Sequence, residues 1–557
     1  MDSRSGFCEA TRTFRSLRPP IPLPPDTLPV SFPSFAFSRL PSPPPARPAF
    51  VDASTGAALS FPALLARVRS LAAALRGALG VAKGDVALVL APPSLDVPVL
   101  FLAVMSVGGV VSPINPISAA AEVARAVGLC NPSVVFATAG TVGKVPTGLD
   151  DKLRVVLLDS PQFQSFLEGE ERQDDFPPVQ VRQTDVAAIS YSSGTTGRTK
   201  AVAQTHRRFI MSSLQVAAAR PRTPGGAVVT LLGVPVFPAY GFCMLLRGVV
   251  MAETTVIVTA PSGGAAGVAA VAARCGATQM FVAPPVVVAM ARGAVRPEEL
   301  PDLVRVDCGG APMSATAAAA FHERFPRIEL SMGYGSTEGG LISKMMGHEE
   351  CCHIKSTGRL CSGVEAKVVD ITTGELLSTN EHGELCLRSP GIMLVFIFYI
   401  FLQGNGNSLS NIGYVGGNET TMQEFDSAGW LKTGDLCYFD EDGFLYILDR
   451  LKDFIKYKAY QVSPAELEDV LNLIPGLIDA AVVPYPHEEA GQVPIAFVVR
   501  EKGSKLTEVE IIDFVAKQVA PYKKIRKVIF VDSIPRLPSG KLLRHKLHTH
   551  ACETSNK

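Results

Sequence analysis

The stretch at residues 191–200 combines the side chains and the flexible backbone that a phosphate-binding loop requires. It reads Tyr-Ser-Ser-Gly-Thr-Thr-Gly-Arg-Thr-Lys and follows directly on an apolar run at residues 186–189. Glycines let backbone N–H groups approach phosphate oxygens, hydroxyls donate hydrogen bonds, and lysine supplies a positive charge. The spacing differs from the Walker A pattern, because no Gly-Lys-Ser/Thr follows at the right gap. A polar surface loop can have the same composition, so this stretch alone does not establish nucleotide binding.

Five further stretches carry residue types suited to a nucleotide. Each is weak by itself, because a Gly-Tyr-Gly run is usually a turn and Ser-Gly-Lys is usually a solvated loop. All six in this order indicate one shared site. The five are Gly309-Gly310-Ala311-Pro312, Gly333-Tyr334-Gly335-Ser336-Thr337-Glu338, Thr433-Gly434-Asp435, Asp449-Arg450 and Pro538-Ser539-Gly540-Lys541.

With these motifs the chain resembles the adenylate-forming enzymes, which include acyl-CoA synthetases, luciferases and peptide-synthetase adenylation domains. Within that superfamily it is similar to the plant 4-coumarate–CoA ligase-like proteins. The resemblance spans about residues 30 to 548 and rests on YSSGTTGRTK, GGAP, GYGSTE, WLKTGD, DRLKDFIKYKAYQVSPAELE and PSGK. It implies an ATP-dependent acid–thiol ligase that forms an acyl-AMP and then an acyl-CoA thioester. The implied small molecules are ATP, Mg²⁺, CoA and a hydroxycinnamate-like or related aryl or aliphatic acid.

The resemblance also implies roles at matching positions. Thr337 is expected to touch the α-phosphate, Glu338 to hold Mg²⁺, and Lys541 to bridge the α-phosphate and the carboxylate. Together with Lys200 these form the expected catalytic set. The residues expected to bind ATP or AMP are Ser192, Ser193, Gly194, Thr195, Thr196, Lys200, Gly333, Thr337, Asp435, Arg450 and Lys541.

Two further sets follow from the same resemblance. The acid and its adenylate are expected to contact Tyr240, Gly310, Met332, Met345, Lys452 and Lys456. CoA is expected to contact Lys458, Ala459 and Gln461. In relatives the C-terminal lobe rotates after adenylation, which carries Lys541 away and brings the Lys458 face to the thiol tunnel. Such a motion also keeps water from the adenylate.

The expected chemistry explains the residue types. A carboxylate must approach the α-phosphate, so two anions repel each other. Lys541 and Mg²⁺ reduce that repulsion and stabilise the charge as pyrophosphate leaves. Asp435 suits a ribose diol, because one carboxylate can accept two hydrogen bonds.

Three side chains have two interpretations each. Tyr240 lies where relatives place a tyrosine against the acyl group, but it can equally be a core tyrosine. Arg292 lies where hydroxycinnamate ligases have a lysine near the phenol end of the pocket, or it is a surface cation. His206 fits the Thr-His of the family, and a structural role is favoured.

Several positions depart from the family pattern. Pro238 replaces a histidine at the mouth of the acyl site and cannot titrate. Ala459 replaces a glycine that would let pantetheine pass, and a basic CoA contact is missing near Ala260. Met332 stands where hydroxycinnamate ligases have glutamine. Two alternatives therefore stay open: an adenylating enzyme deficient in CoA transfer, and a nucleotide-binding pseudoenzyme.

An insertion at about residues 395–412 has no counterpart in relatives. It contains most of an apolar run, LVFIFYIFL at residues 394–402, and most of the polar tract that follows it. The run is too short to span a membrane and is prone to β-aggregation. Our hypothesis is a translated intron or a misplaced exon boundary; the alternative is a real surface loop with exposed apolar residues.

The composition sets the broad class. The chain has 557 residues, 47% apolar and 19% charged, with 52 basic and 52 acidic residues. This balance predicts a globular protein of more than one domain with no nucleic-acid partner. The 11 cysteines include no CxxC pair, which favours free thiols in a reducing compartment. We expect no transmembrane span and a cytoplasmic location, because no secretory signal and no C-terminal Ser-Lys-Leu is present, and a plastid is less favoured.

The elements predicted around the motifs alternate between helices and strands. Helical spacing is expected at residues 61–79 and 97–106. Strand-sized apolar runs occur at residues 86–90, 134–137, 154–158, 227–232, 255–258, 279–282 and 303–308. Shorter strands with glycine turns follow at 366–370, 383–388 and 444–449, and a last block mixes charged helices (464–473, 508–518) with strands (480–484, 495–499).

We therefore expect an α/β fold. A large N-terminal domain should contain mixed, largely parallel sheets flanked by helices, together with a β-rich subdomain. A small, mobile α+β lobe should follow at its C-terminal side. The expected divisions are a Pro-rich segment at 1–48 lying extended over the surface, an adenylation domain at 49–449 and the C-terminal lobe at 450–557.

Overall fold

The computed structural model describes most of the chain. The described residues are 1–147, 153–169, 179–193, 199–218, 227–259, 263–392, 423–451, 453–457, 460–487, 490–536, 540, 542–544 and 546–547.

The strands in the described residues are numbered here in chain order. They are β1 Phe7–Cys8, β2 Thr13–Arg15, β3 Pro48–Asp52, β4 Ala58–Ser60, β5 Val86–Leu90, β6 Val110–Pro113, β7 Val134–Ala137, β8 Arg154–Leu157, β9 Val186–Ser193, β10 Thr199–Thr205, β11 Val229–Leu232, β12 Thr254–Ile257, β13 Gln279–Val282, β14 Arg305–Cys308, β15 Glu329–Ser336, β16 Gly340–Lys344, β17 Arg359–Leu360, β18 Glu365–Val369, β19 Gly383–Arg388, β20 Leu431–Phe439, β21 Leu445–Arg450, β22 Ile455–Tyr457, β23 Tyr460–Val462, β24 Leu477–His487, β25 Gly491–Arg500 and β26 Lys527–Phe530.

Several helices begin at a residue whose side chain caps the first turn. The side chains of Ser60, Ser160, Ser314, Ser463 and Thr507 each accept a hydrogen bond from a backbone N–H in the first turn of the helix that follows. The helices in the described residues are α1 Phe32–Ser38, α2 Phe61–Gly77, α3 Asp96–Ser106, α4 Ala120–Cys130, α5 Pro161–Glu168, α6 His206–Ala218, α7 Ala239–Val250, α8 Gly264–Arg274, α9 Pro284–Ala291, α10 Ala315–Arg324, α11 Gly347–Cys351, α12 Pro464–Leu471 and α13 Glu508–Ala516.

Two largely parallel sheets carry the N-terminal domain. One has the order β10-β9-β6-β5-β7-β8 and the other β17-β16-β15-β14-β13-β11-β12-β3-β4. Strands at their edges, such as β10 and β17, pair antiparallel. Apolar residues of both sheets and of α1, α2, α3, α6 and α7 share one core. The predicted mixed, largely parallel α/β architecture is confirmed.

An antiparallel sheet forms the β-rich part, in the order β1-β2-β18-β19-β20-β21. The C-terminal lobe has its own sheet, β23-β22-β25-β24, with β26 parallel to β25. Helices α12 and α13 pack on one face of that sheet and bury a separate apolar cluster. The predicted β-rich subdomain and small α+β lobe are therefore confirmed.

The N-terminal residues differ from the expected extended segment. The β1–β2 hairpin joins the antiparallel sheet, where Phe14 is fully buried and stacks on Phe439 at 4.2 Å between ring centroids. Phe32, on α1, is also fully buried in the main core. The prediction of an extended surface segment was wrong because it rested on the prolines and left out the phenylalanines of the same segment, whose burial removes large apolar surfaces from water.

Two other properties concern the described residues. All ten cysteines among them are free thiols. In the same part of the chain, none of the helices combines the length and the apolar character needed to cross a bilayer.

Candidate active site

The expected phosphate loop connects β9 and β10, which pair antiparallel. In their register Ser192 lies opposite Lys200. Both residues thus lie at the ends of two paired strands of the six-stranded sheet. Gly194, Thr195 and Thr196 and the side chain of Ser193 lie outside the described residues.

The turn between β15 and β16 carries Thr337 and Glu338. The Glu338 Oε1 atom accepts a hydrogen bond of 2.9 Å from the Ser192 hydroxyl, so the turn and the hairpin meet. Gly335, just before the turn, has no room for a side chain, because a Cβ atom there would lie 2.4 Å from the Gly340 carbonyl oxygen. The sequence therefore positions Glu338 through a close pairing of two backbones.

The expected ribose residues form one connected group. Asp435 is almost fully buried, accepts a hydrogen bond from the Tyr334 hydroxyl and lies 2.6 Å from the Arg450 Nε atom. Asp435 and Arg450 are cross-strand partners in β20 and β21. Burial first, and then the charge of Asp435, raise the pKa of Tyr334 well above its usual value. The phenol therefore stays protonated and acts as a hydrogen-bond donor.

Lys200 contacts a residue that sequence reasoning missed. Its Nζ atom lies 2.5 Å from the Glu424 Oε1 atom, and the lysine side chain is 11% exposed. Glu424 is held by the turn before β20, where the Lys432 N–H donates to the Glu424 carbonyl oxygen at 2.8 Å. The strand that carries Asp435 therefore also anchors the acid that contacts Lys200.

These contacts, together with the strands that carry the residues, join them into one group, which we call the nucleotide ring. Its members are Ser192, Lys200, Tyr334, Glu338, Glu424, Asp435 and Arg450. The end of β15 links Tyr334 to Glu338, and β20 links Asp435 to the backbone contact of Glu424. Four separate sequence motifs and one additional acid contribute to it. The arrangement brings a cation, a hydroxyl and carboxylates together, as metal-assisted chemistry on a phosphate requires.

The donor set around Glu338 fits Mg²⁺. This ion prefers hard oxygen ligands and is usually bound by one or two carboxylates, with substrate phosphates and water completing the octahedron. Glu338 and the adjacent Ser192 hydroxyl are such oxygens. Within the described residues, no group of three or more His, Cys, Asp or Glu side chains could hold a metal by itself.

Four of the residues expected at the acyl group lie on or near β15, the strand that carries Tyr334; these are Tyr240, Gly310, Met332 and Met345. Tyr240, on α7, donates its hydroxyl to the Asp307 carbonyl oxygen at 3.2 Å. Its ring packs on Gly309, where a Cβ atom would lie 3.4 Å from Cζ, and Gly310 follows with a positive φ of 83°. Met332 and Met345 are buried in one small apolar cluster with Cys351 and Met313. The structure thus brings the predicted methionines together.

Three residues with open interpretations have defined surroundings. His206 is buried, its Nδ1 atom accepts the Phe32 N–H at 3.0 Å, and burial lowers the pKa of its imidazole to about 4. These contacts support the structural interpretation. Arg292 donates from Nη2 to the Ile478 carbonyl oxygen of the C-terminal lobe at 2.9 Å, so it contacts the lobe. Pro238 is the N-cap of α7, where a fixed φ suits the start of a helix.

The C-terminal lobe lies against the N-terminal domain near the expected catalytic lysine. A Cβ atom at Gly540 would lie 2.9 Å from Pro285 at the start of α9. Lys456 is exposed on β22, opposite Gln461 of β23. Some predictions concern residues outside the described part of the chain. These are Ala260, Lys452, Lys458, Ala459, Lys541, the side chain of Gln461 and the insertion at 395–412.

Comparison with known proteins agrees with this geometry. The family model of AMP-binding enzymes matches residues 37–396, and that of the AMP-binding enzyme C-terminal domain matches residues 466–541.

Individual relatives match over almost the whole chain. The chain is 46% identical over 563 residues to 4-coumarate–CoA ligase-like 5 of Oryza sativa subsp. japonica, covering 98% of this chain and 95% of that protein. It is 40% identical over 560 residues to peroxisomal OPC-8:0-CoA ligase 1 of Arabidopsis thaliana, covering 98% of both. The crystal structure of ATP-bound MatB from Rhodopseudomonas palustris superposes with a TM-score of 0.82 at 25% identity, covering 94% of this chain and 99% of that one.

Proposed function

Since the chain belongs to the AMP-binding, adenylate-forming family of acyl-CoA ligases, we propose that it activates a carboxylic acid with ATP and transfers the acyl group to CoA. The reaction passes through an acyl-AMP and releases pyrophosphate. The observation that supports this proposal is the nucleotide ring. We propose that Ser192, Lys200 and Glu338 form its triphosphate side, and that Tyr334, Asp435 and Arg450 form its ribose side.

Residues in the ring and beside it have proposed tasks. Lys200 and the Ser192 hydroxyl bind the β- and γ-phosphates, and Asp435 with Arg450 binds the ribose hydroxyls. Thr337 binds the α-phosphate, and Glu338 holds Mg²⁺, which offsets the charge of the phosphates when it is bound. Lys541 from the C-terminal lobe bridges the α-phosphate and the carboxylate; Gly540, its neighbour, lies against the N-terminal domain.

The acid is proposed to lie along Tyr240, Gly310, Met332 and Met345. Methionine side chains adapt to different shapes, which suits an apolar acyl group. The names of the relatives concern 4-coumarate and OPC-8:0, and we propose a hydroxycinnamate-like or related aryl or aliphatic acid for this chain. A panel of such acids in one thioester assay would identify the preferred class.

The second half-reaction is proposed to use Lys458, Ala459 and Gln461 after the lobe rotates about the 450–452 hinge. Asp449 supports this hinge, because its Oδ2 atom accepts from the Ser463 hydroxyl at 2.6 Å and from the Ala465 N–H at 3.1 Å. The same carboxylate thus fixes the start of α12 to the last strand of the N-terminal domain.

The test measures acid-dependent pyrophosphate–ATP exchange beside thioester formation. Both activities are expected for the unmodified chain. Exchange without thioester would favour an enzyme deficient in CoA transfer, and ATP binding without exchange for any acid would favour a pseudoenzyme. Lys541→Ala is expected to suppress exchange while ATP still binds, and unchanged pyrophosphate release in that variant would contradict its role.

The compartment and the insertion need separate measurements. We propose the cytoplasm, although one relative is named peroxisomal. Imaging of fluorescent fusions at either end of the chain would test this location. Sequencing of the transcript would test whether residues 395–412 are encoded in frame in the mature message, a result that would contradict an intron origin.

A further inference from the structure

Arg208 is a buried cation whose guanidinium lies behind the Thr337–Glu338 turn. The residue is 4% exposed and lies in the first turn of α6, directly after β10. Its Nη1 atom donates to the Glu338 carbonyl oxygen at 3.1 Å, and its Nη2 atom donates to the Ser336 carbonyl oxygen at 3.1 Å. The planar fork therefore holds both carbonyls that flank Thr337, a geometry that lysine cannot reproduce.

The Thr337 carbonyl, which lies between these two in the chain, also accepts a hydrogen bond from a buried side chain. Gln204, buried on β10, donates from Nε2 to the Thr337 carbonyl oxygen at 3.4 Å, and its own Oε1 accepts from the Ser190 hydroxyl at 3.1 Å. Three consecutive carbonyls of the turn thus accept from side chains of β10 and α6. The turn is fixed by the same strand that carries Lys200.

The charge of Arg208 is not explained by packing alone. Among the described residues, its side-chain acceptors are backbone carbonyls, and its Nε atom is buried without a hydrogen-bond partner. A guanidinium keeps its charge when buried, and taking it out of water is costly unless the site uses that charge. Here the positive charge lies directly behind a turn whose other side faces the proposed triphosphate.

We propose that Arg208 is a positioning residue for adenylation. It fixes the turn so that the Glu338 carboxylate is presented to Mg²⁺ and the Thr337 hydroxyl to the α-phosphate, and its charge favours the bound triphosphate. The role in the reaction depends on the proposed function; the effect on Mg²⁺-dependent ATP binding does not depend on any activity.

The test compares Arg208→Gln and Arg208→Lys with a matched control. Arg207→Gln serves as the control, because Arg207 is adjacent on the same helix but donates to the Gln183 Oε1 atom at 3.0 Å and pairs with Asp26, away from the turn. ATP dissociation constants are measured by calorimetry with and without Mg²⁺. Exchange rates are measured over a range of Mg²⁺ concentrations, and thermal melting is recorded for each variant.

Arg208→Gln is expected to lose most of the gain in ATP affinity that Mg²⁺ provides. The Mg²⁺ concentration for half-maximal exchange should rise by about fivefold or more, and the exchange rate should fall by about 10- to 100-fold, because small misplacements of reacting groups have effects of this size. The KM of the acid should not change. Arg208→Lys should be intermediate, and Arg207→Gln should match the unmodified chain.

A folded Arg208→Gln protein that retains the full Mg²⁺ gain in ATP affinity would overturn the proposal. If this variant does not fold, Arg208→Lys decides, since it keeps the charge and loses the fork; an unchanged Mg²⁺ requirement there would also overturn it. If the unmodified chain catalyses no pyrophosphate–ATP exchange with any acid tested, only the proposed function is contradicted. In that case the binding measurement still decides the role of Arg208.

Discussion

The Lys200 ammonium forms an ion pair with the Glu424 carboxylate, so the proposed phosphate lysine is held by an acid 224 positions away. A triphosphate and this carboxylate carry the same sign of charge and compete for the same cation. Glu424→Gln is therefore expected to tighten ATP binding by about three- to tenfold. ATP then no longer has to displace a charged carboxylate from Lys200, and this factor corresponds to part of the free energy of one charge-assisted hydrogen bond. Titration calorimetry measures the change in the dissociation constant.

A matched substitution controls for the loss of a charge. Glu466 pairs with Lys523 at 2.6 Å on the surface of the C-terminal lobe, so Glu466→Gln removes a similar ion pair away from the nucleotide ring. Its ATP dissociation constant should equal that of the unmodified chain. Weaker ATP binding by Glu424→Gln would instead show that the carboxylate orients Lys200 for ATP.

Tyr334→Phe is expected to weaken ATP binding by about 10-fold, because a hydrogen bond to the buried Asp435 carboxylate is lost and its desolvation is no longer offset. The KM of ATP should rise, while the KM of the acid should stay the same, since Tyr334 is proposed to act at the nucleoside. Steady-state kinetics with each substrate varied in turn separates the two constants.

The control for this variant lies in the antiparallel sheet that carries Asp435. Tyr446 donates its hydroxyl to the Asp440 Oδ2 atom at 3.1 Å, outside the ring. Tyr446→Phe removes the same group from a similar tyrosine–aspartate pair and should leave both constants unchanged. Equal effects of the two substitutions would contradict the nucleoside role of Tyr334.

The strands of the main sheets could be predicted because their apolar runs end at clear breaks. The expected bounds 86–90, 134–137 and 279–282 are those observed for β5, β7 and β13. At 303–308 the strand begins two residues later than expected, because the apolar run includes Leu303 and Val304, which precede the strand. Leu303 is buried and Val304 is 58% exposed, so apolar character alone marks neither the strand boundary nor burial. The buried phenylalanines before residue 48 were not predicted, because the prolines of that segment indicated an extended and exposed chain.

The site was predicted only where short motifs carry it. Asp435 and Glu338 stand in compact patterns of glycine, threonine and acid, so their types and spacing could be interpreted directly. Glu424 and Arg208 are single charged residues in unremarkable surroundings, and their partners are 224 and 128–130 positions away. Long-range pairs of this kind leave no local pattern, because only the folded chain brings them together.

His206 is expected to make stability depend on pH. Burial lowers the pKa of its imidazole from 6.5 to about 4, so the unfolded state binds a proton more readily than the native state between these values. Stability should therefore fall as the pH drops from 6.5 towards 4. At 1.36 kcal/mol per pKa unit, the loss from pH 7 to pH 5 is about 2 kcal/mol.

His206→Asn tests this assignment. Asparagine keeps an acceptor near the position of Nδ1 for the Phe32 N–H but does not titrate in this range. The difference between the urea midpoints at pH 7 and pH 5, followed by circular dichroism, should shrink. His348→Asn, at an exposed position, should retain the full difference. A pH dependence unchanged in His206→Asn would assign it to other groups.

Arg292→Gln is expected to slow adenylation without slowing the thioester step. Arg292 follows α9 and bonds to the Ile478 carbonyl oxygen of the C-terminal lobe at 2.9 Å, so it stabilises the lobe in the orientation that places Gly540 against Pro285. Loss of this exposed hydrogen bond should lower the rate of pyrophosphate–ATP exchange by about two- to fivefold.

Arg296→Gln is the control, since Arg296 pairs with Glu299 within the N-terminal domain. This substitution should leave the exchange rate unchanged. Transfer to CoA from preformed acyl-AMP should proceed at the unmodified rate, because the proposed rotation of the lobe breaks this contact. An equal loss in both half-reactions would mean that Arg292 does not act through docking of the lobe.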